Sequence, residues 1–292
     1  MLQQFIVNNL IAGCIYALIA LGFAVIYRTV RFFHFAHGIV FTVGAYFAFL
    51  FKMWLGCPLW IAILGGILLA GVLGCLMEVV VYRPLRKRDS SELVLLLASL
   101  GIYILLQNVI SMIFGDDTKS IRISDVQEGI NILGARITPI QIVTICVSIV
   151  LVIALSAFLK KSKIGKTMRA VANDPMLADI SGINSNRIIL CTFAIGSGLA
   201  AIAGILVALD VDMTPTMGMN ALMMGVVVVI IGGVNSIPGI ALGALLLAMS
   251  QHFGAWFIGS QWQDAIAFII LVLFLLFKPE GFFGKKVKSA TV

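Results

Sequence analysis

The sequence predicts an all-α polytopic membrane protein with about eight to nine transmembrane helices in one domain spanning residues 1–292. Three observations predict it. The chain is 61% hydrophobic and only 11% charged, with a mean hydropathy of +1.11; a soluble chain averages about 45–50% apolar and about 25% charged residues. Apolar runs of about 20 residues, the length that crosses a bilayer as a helix, recur along the whole chain. The cations gather in a few short connections instead of scattering.

Nine apolar segments run about 5–27, 36–55, 59–81, 91–114, 137–159, 188–210, 219–234, 239–257 and 262–277. The first follows no basic n-region and reads as a permanent span, not a cleaved signal. Arg28 and Arg31 follow it. The second, HFAHGIVFTVGAY (34–46), is punctuated by glycine. The third ends in YRPLRKR, which holds Arg83, Arg86, Lys87 and Arg88. Between the fourth and fifth lies a mixed-charge loop, 115–136. Lys160, Lys161, Lys163, Lys166, Arg169 and Arg187 separate the fifth from the sixth. The sixth ends near Asp210 and Asp212 with no cation. The seventh, MNALMMGVVVVIIGG (219–233), is short for a full span, and the ninth leads to Lys278, Lys285, Lys286 and Lys288. Cation-rich connections stay on the cytoplasmic side. That rule and strict alternation agree throughout: the N-terminus lies outside and the C-terminus inside.

Spans 1–4 then begin outside and spans 6–9 inside, the arrangement of an inverted repeat. Short, glycine-interrupted segments at matching positions of two halves point to a translocation path. The candidate path residues are His37, Gly38 and Gly44 in span 2, with Met223, Met224, Gly225, Gly232 and Gly233 in span 7. Glycines also serve close helix packing, and methionines fill cores, so both readings stay open.

Several function classes are excluded or weakly supported, an ion-coupled carrier staying open as a third and weaker reading. The net charge of +7 belongs to the cytoplasmic loops, not to nucleic-acid binding. Cys14, Cys57, Cys75, Cys146 and Cys191 lack paired spacing and read as packing residues, without a metal or disulfide framework. Ion-coupled carriers keep ionisable groups inside the membrane. Here Glu78 and Asp264 sit near the ends of spans, and His34, His37 and His252 read as structural. Gly165-Lys166-Thr167 resembles the end of a phosphate-binding loop, but Lys160 stands where that motif needs glycine. No catalytic motif and no cofactor site is expected. Driven transport by this chain requires a separate ATPase.

The polar insert at 160–187 parses into two short helices. The first covers roughly 165–172. The second is punctuated: Asp174 as N-cap, Pro175 at the first helical position and Gly182 at the C-terminal cap give about two turns. So short a helix is marginal alone. It lacks aromatic anchors for a membrane surface, so docking on a partner protein fits it better.

The stretch S-x-x-G-x-x-M-R-A-V-A-x-D-x-x-x-A-x-x-x-G-I-N, Ser162 to Asn184, resembles the cytoplasmic coupling loop of LivH-type permeases, membrane subunits of branched-chain amino acid ABC importers. GCIYALIALGFAVIY (13–27), FAHGIVFTVGAY (35–46), TFAIGSGLAAIAGIL (192–206) and IIGGVNSIPGIALGALLL (230–247) resemble other parts of that family, which matches nearly the whole chain. His34 departs from it, standing where asparagine is usual.

The resemblance implies a multi-subunit importer in the bacterial inner membrane. Its permease core pairs this chain with a LivM-like second permease; two ATP-binding subunits dock below, and a periplasmic binding protein delivers the substrate. Gly165, Arg169, Ala170, Asp174, Pro175, Ala178 and Gly182 are then expected at the ATPase-docking loop. The loop 115–136 suits a binding-protein contact or a bare surface loop. Related permeases serve urea, short amides and aromatic acids, so the substrate stays open among these and branched-chain amino acids. A passive channel for a small neutral solute is the alternative of a different class.

Overall fold

The computed structural model describes residues 2–121, 129–132 and 134–283; Lys285, Lys286, Lys288 and part of the 115–136 loop fall outside them. The long helices are α1 (Leu2–Val30), α2 (Ala36–Phe49), α3 (Leu59–Met77), α5 (Glu92–Phe114), α6 (Pro139–Lys161), α9 (Ser185–Asp210), α10 (Met217–Gly232), α11 (Ile237–Phe257) and α12 (Gln263–Phe277). A π turn, Glu78–Tyr82, carries α3 into the short α4 (Arg83–Lys87). Among the described residues, eight helical stretches are long and apolar enough to cross a membrane. Helix α10, at 16 residues, falls short of that length, as the sequence foreshadowed. Neither it nor α2 is broken.

Two helices organise the packing. Helix α1 packs on α6, α9, α10 and α11, while α9 packs on α1, α2 and α3. In the most apolar window of α1, 72% of residues are buried, against 22% in α3, α5 and α6 and 6% in α12. Helices α1, α2, α9 and the largely buried α10 therefore form the core, and the outer helices present leucine, valine and phenylalanine outward. That inversion of soluble-protein burial is what a hydrocarbon solvent selects. The core helices approach closely. A Cβ built on Gly38 of α2 would lie 2.6 Å from the carbonyl oxygen of Gly218 on α10, so only hydrogen fits between these backbones.

The two ends of the bundle differ in chemistry. One end is basic. It carries Arg28 and Arg31, the α4 cations and the polar insert, and there Lys278 and Gly281 follow α12 against the α10 terminus, with Phe282 N–H donating to Ile231 O at 2.9 Å. The other end gathers the α1 N-terminus, the residues after α5 and the residues after α9. There Lys119 and Met213 exchange backbone hydrogen bonds of 2.9 and 2.8 Å. Strands β1 (Ile130–Ile132) and β2 (Ala135–Ile137) pair antiparallel, with Asn131 opposite Arg136. Gln4 of α1 clips this hairpin at both polar atoms of the Arg136 backbone. The four basic connections, as far as they are described, thus share one end, as span alternation requires.

Candidate functional site

The polar insert begins where α6 stops. Ser162 ends α6 and caps the next helix, α7 (Lys163–Asn173), by accepting from Gly165 N–H at 2.8 Å. Gly165 is buried in the corner, where a Cβ would meet Leu159 Cα at 2.6 Å. That glycine lets α7 fold straight back beneath α6. Met168 and Val171 on the inner face of α7 are buried, and Arg169, beside Arg28 at the end of α1, is exposed.

Helix α8 (Pro175–Ile180) follows at once, six residues long, close to the two turns expected. Its caps are those the sequence specifies. Asp174 Oδ1 accepts from Met176 N–H at 2.9 Å and Leu177 N–H at 3.0 Å. Such a cap is worth about 0.5–2 kcal/mol. Ala170 O accepts from Asp174 N–H at 3.0 Å, which joins the two helices. Gly182 closes the segment in the left-handed region, φ +82°, where a side chain would be strained. Asp179 Oδ1 accepts from Ser185 N–H at 2.9 Å and Ser185 Oγ donates to Pro175 O at 3.1 Å, so α8 is tied to the start of α9. The buried Ala178 is the inward contact. The outward face is Met176, Leu177 and Ile180, exposed by 75%, 62% and 75%. Sequence reasoning passed over these three. Their signal was present: apolar residues at i, i+1 and i+4 on a helix flanked by charge.

The proposed path residues are less united. Gly38 faces Gly218, Gly44 faces Ala201 and Gly225 faces Ile19. Gly232 lies against Gly239 and Ile240. Met224 is buried, with its sulfur 3.3 Å from Gln251 Nε2, and Met223 is half-buried. Gly233 lines a cleft that opens at the basic end between α1, α10 and α12. The cleft holds about 520 Å³ and is walled by Phe23, Tyr27, Val226, Val229, Ile230 and Leu275, with Asn235 and Glu280 at its edge. That volume and that apolar lining with few polar groups are typical of small-molecule sites, about 300–1,000 Å³.

A family model described as "Branched-chain amino acid transport system / permease component" matches residues 5–275. The chain belongs to this permease family. The high-affinity branched-chain amino acid transport system permease protein BraD of Pseudomonas aeruginosa is 36% identical to it, covering 97% of this chain and 96% of the relative. LivH of Salmonella typhimurium, with the same description, is 33% identical over the same shares. Among solved structures, PsaBC from Streptococcus pneumoniae in complex with Fab has the same fold at a TM-score of 0.54 and 13% identity, covering 95% of this chain and 93% of that one.

This permease also holds a buried polar cluster where α2 begins. His34 Nδ1 lies 3.1 Å from the Tyr82 hydroxyl, and His37 Nε2 lies 3.3 Å from Ile19 O. Nearby on the same π turn as Tyr82, Glu78 is 1% exposed and pairs with Arg86. The sequence suggests a polar edge for Glu78, but the π turn rotates it inward. Burial, with His37 beside it, holds the His34 imidazole well below its ordinary range, so it is neutral at pH 7. The unfolded chain binds a proton there that the folded chain refuses. Thermal stability in detergent should therefore be flat above about pH 7 and fall as pH drops below about 6.5. His34→Asn should make that acid limb shallower; an unchanged pH profile would assign it to other groups.

Proposed function

We propose that this chain is a membrane-spanning permease subunit of an ATP-driven importer for branched-chain amino acids. Substrate arrives from a periplasmic binding protein. A LivM-like second permease completes the core, and two ATP-binding subunits dock at the polar insert. The reading places the basic end, with the insert, at the cytoplasmic face of a bacterial inner membrane. ATP hydrolysis belongs to the partners.

One observation carries the reading: the apolar outer face of α8, held rigid by Asp174 and Gly182 and left open at the basic end. Three exposed apolar side chains on so short a capped helix fit a groove in a partner protein. Membership of the permease family supports the same reading.

The packing also supports an inverted repeat. Pairing α1 with α9, α2 with α10 and α3 with α11, the contacts of α1 with α10 and α11 mirror those of α9 with α2 and α3. Gly44 meets Ala201 of α9 as Gly225 meets Ile19 of α1. Two halves so joined can rock against each other around a central path.

The cleft at the basic end suits release of an aliphatic side chain, because its walls are apolar and its edge polar. Uptake of labelled leucine, competed by isoleucine and valine and not by urea, tests the substrate. Val226→Trp should fill the cleft and reduce that uptake to near background while the complex still assembles. Wild-type uptake by this variant would exclude the cleft from the path.

A further inference from the structure

Arg31 lies outside the insert in sequence, yet it grips it. It is the first residue after α1 and sits in the left-handed region at φ +56°, which side-chain-bearing residues seldom adopt. This backbone turns its side chain toward α7. Its Nη2 donates to Ala172 O at 3.0 Å and to Asn173 O at 2.7 Å. Both carbonyls belong to the last turn of α7, where no intrahelical donor remains and the helix dipole is negative. The guanidinium thus caps α7 from another part of the chain.

The turn that Arg31 begins is itself well held. Phe35 N–H donates to Ser99 Oγ at 3.1 Å, Ser99 Oγ lies 3.2 Å from Phe33 O, and His34 is bonded to Tyr82. Helix α2 starts from this turn. The insert joins α6 and α9 by chain continuity, and α8 adds the Asp179 and Ser185 bonds to α9. Helix α7 packs on the last turns of α1, and Arg31 adds a direct polar grip on the α1–α2 turn itself.

We infer that Arg31 is a positioning residue that transmits movement of the insert to the α1–α2 turn, and so sets how much substrate crosses per ATP hydrolysed. The inference rests on the docking reading above. Without Arg31 the insert keeps its caps and its outer face, so the ATPases still bind and still hydrolyse ATP, but the push reaches α2 weakly.

The test uses the complete transporter in proteoliposomes with labelled leucine and ATP. Arg31→Gly removes the side chain and fits the positive φ without strain. It should assemble with the ATP-binding subunits as wild type does, while leucine imported per ATP hydrolysed falls about fivefold or more, the scale of a typical coupling free energy. Arg31→Lys sets an ammonium at the same carbonyls and should restore most of the ratio. An unchanged ratio in Arg31→Gly, loss of ATPase binding in that variant, or a Lys variant as uncoupled as the Gly variant would each overturn the inference. Failure of the docking reading shows separately, as retained ATPase binding when the α8 face itself is made acidic.

Discussion

The double variant Met176→Glu/Ile180→Glu should insert and fold normally but no longer capture the proposed ATP-binding subunits. Both side chains are 75% exposed, so the substitutions disturb no internal packing. Asp174 still caps α8 and Ala178 still packs inward. What changes is the proposed interface. Fully burying a side chain of this size contributes about 1.5–3 kcal/mol, and two are lost. Two carboxylates would also enter the groove without partners, adding a desolvation cost. Binding should weaken by about a hundredfold or more, since each 1.4 kcal/mol is a factor of ten. Co-purification from detergent, with melting temperature as the control for folding, reads the effect directly. A variant that keeps full ATPase capture would remove α8 from the interface.

The second large effect concerns the bundle. Gly38→Val should destabilise the fold and abolish transport. The new Cβ would meet Gly218 O at 2.6 Å and Leu222 Cβ at 3.1 Å, and a backbone carbonyl cannot step aside as a side chain can. Overpacking of this kind costs about 1–3 kcal/mol. The melting temperature should fall by several degrees, and α2 and α10 should separate. Gly101→Val on α5 is the control, because a Cβ there meets nothing within 4 Å. If both variants melt together with wild type, the α2–α10 contact is not the tight one described.

These two cases show which parts of the molecule were legible in the sequence. The spans follow from apolar length, and the capped α8 follows from Asp174, Pro175 and Gly182, because capping is a local interaction among adjacent residues. The shortness of α10 was visible for the same reason. Contacts between distant segments were not. Arg31 and Asn173 lie 142 positions apart, so Arg31 read only as one more cation near the membrane surface. The cleft takes its walls from three helices and carries no local motif. The position of Glu78 beside the basic loop is legible in the sequence, but its burial against Arg86 is not, because it depends on packing around the π turn that carries it. The glycines of α2 and α10 suited either a path or close packing, and their contacts lie across helices the sequence does not pair.

On the function proposed above, this chain moves its substrate only when ATPases act on the insert. Leucine uptake into proteoliposomes, measured with and without the ATP-binding subunits and ATP, tests it most directly. Uptake should require both and survive ionophores that collapse proton and sodium gradients. Uptake by this chain alone, without ATP, would contradict it and identify a passive facilitator.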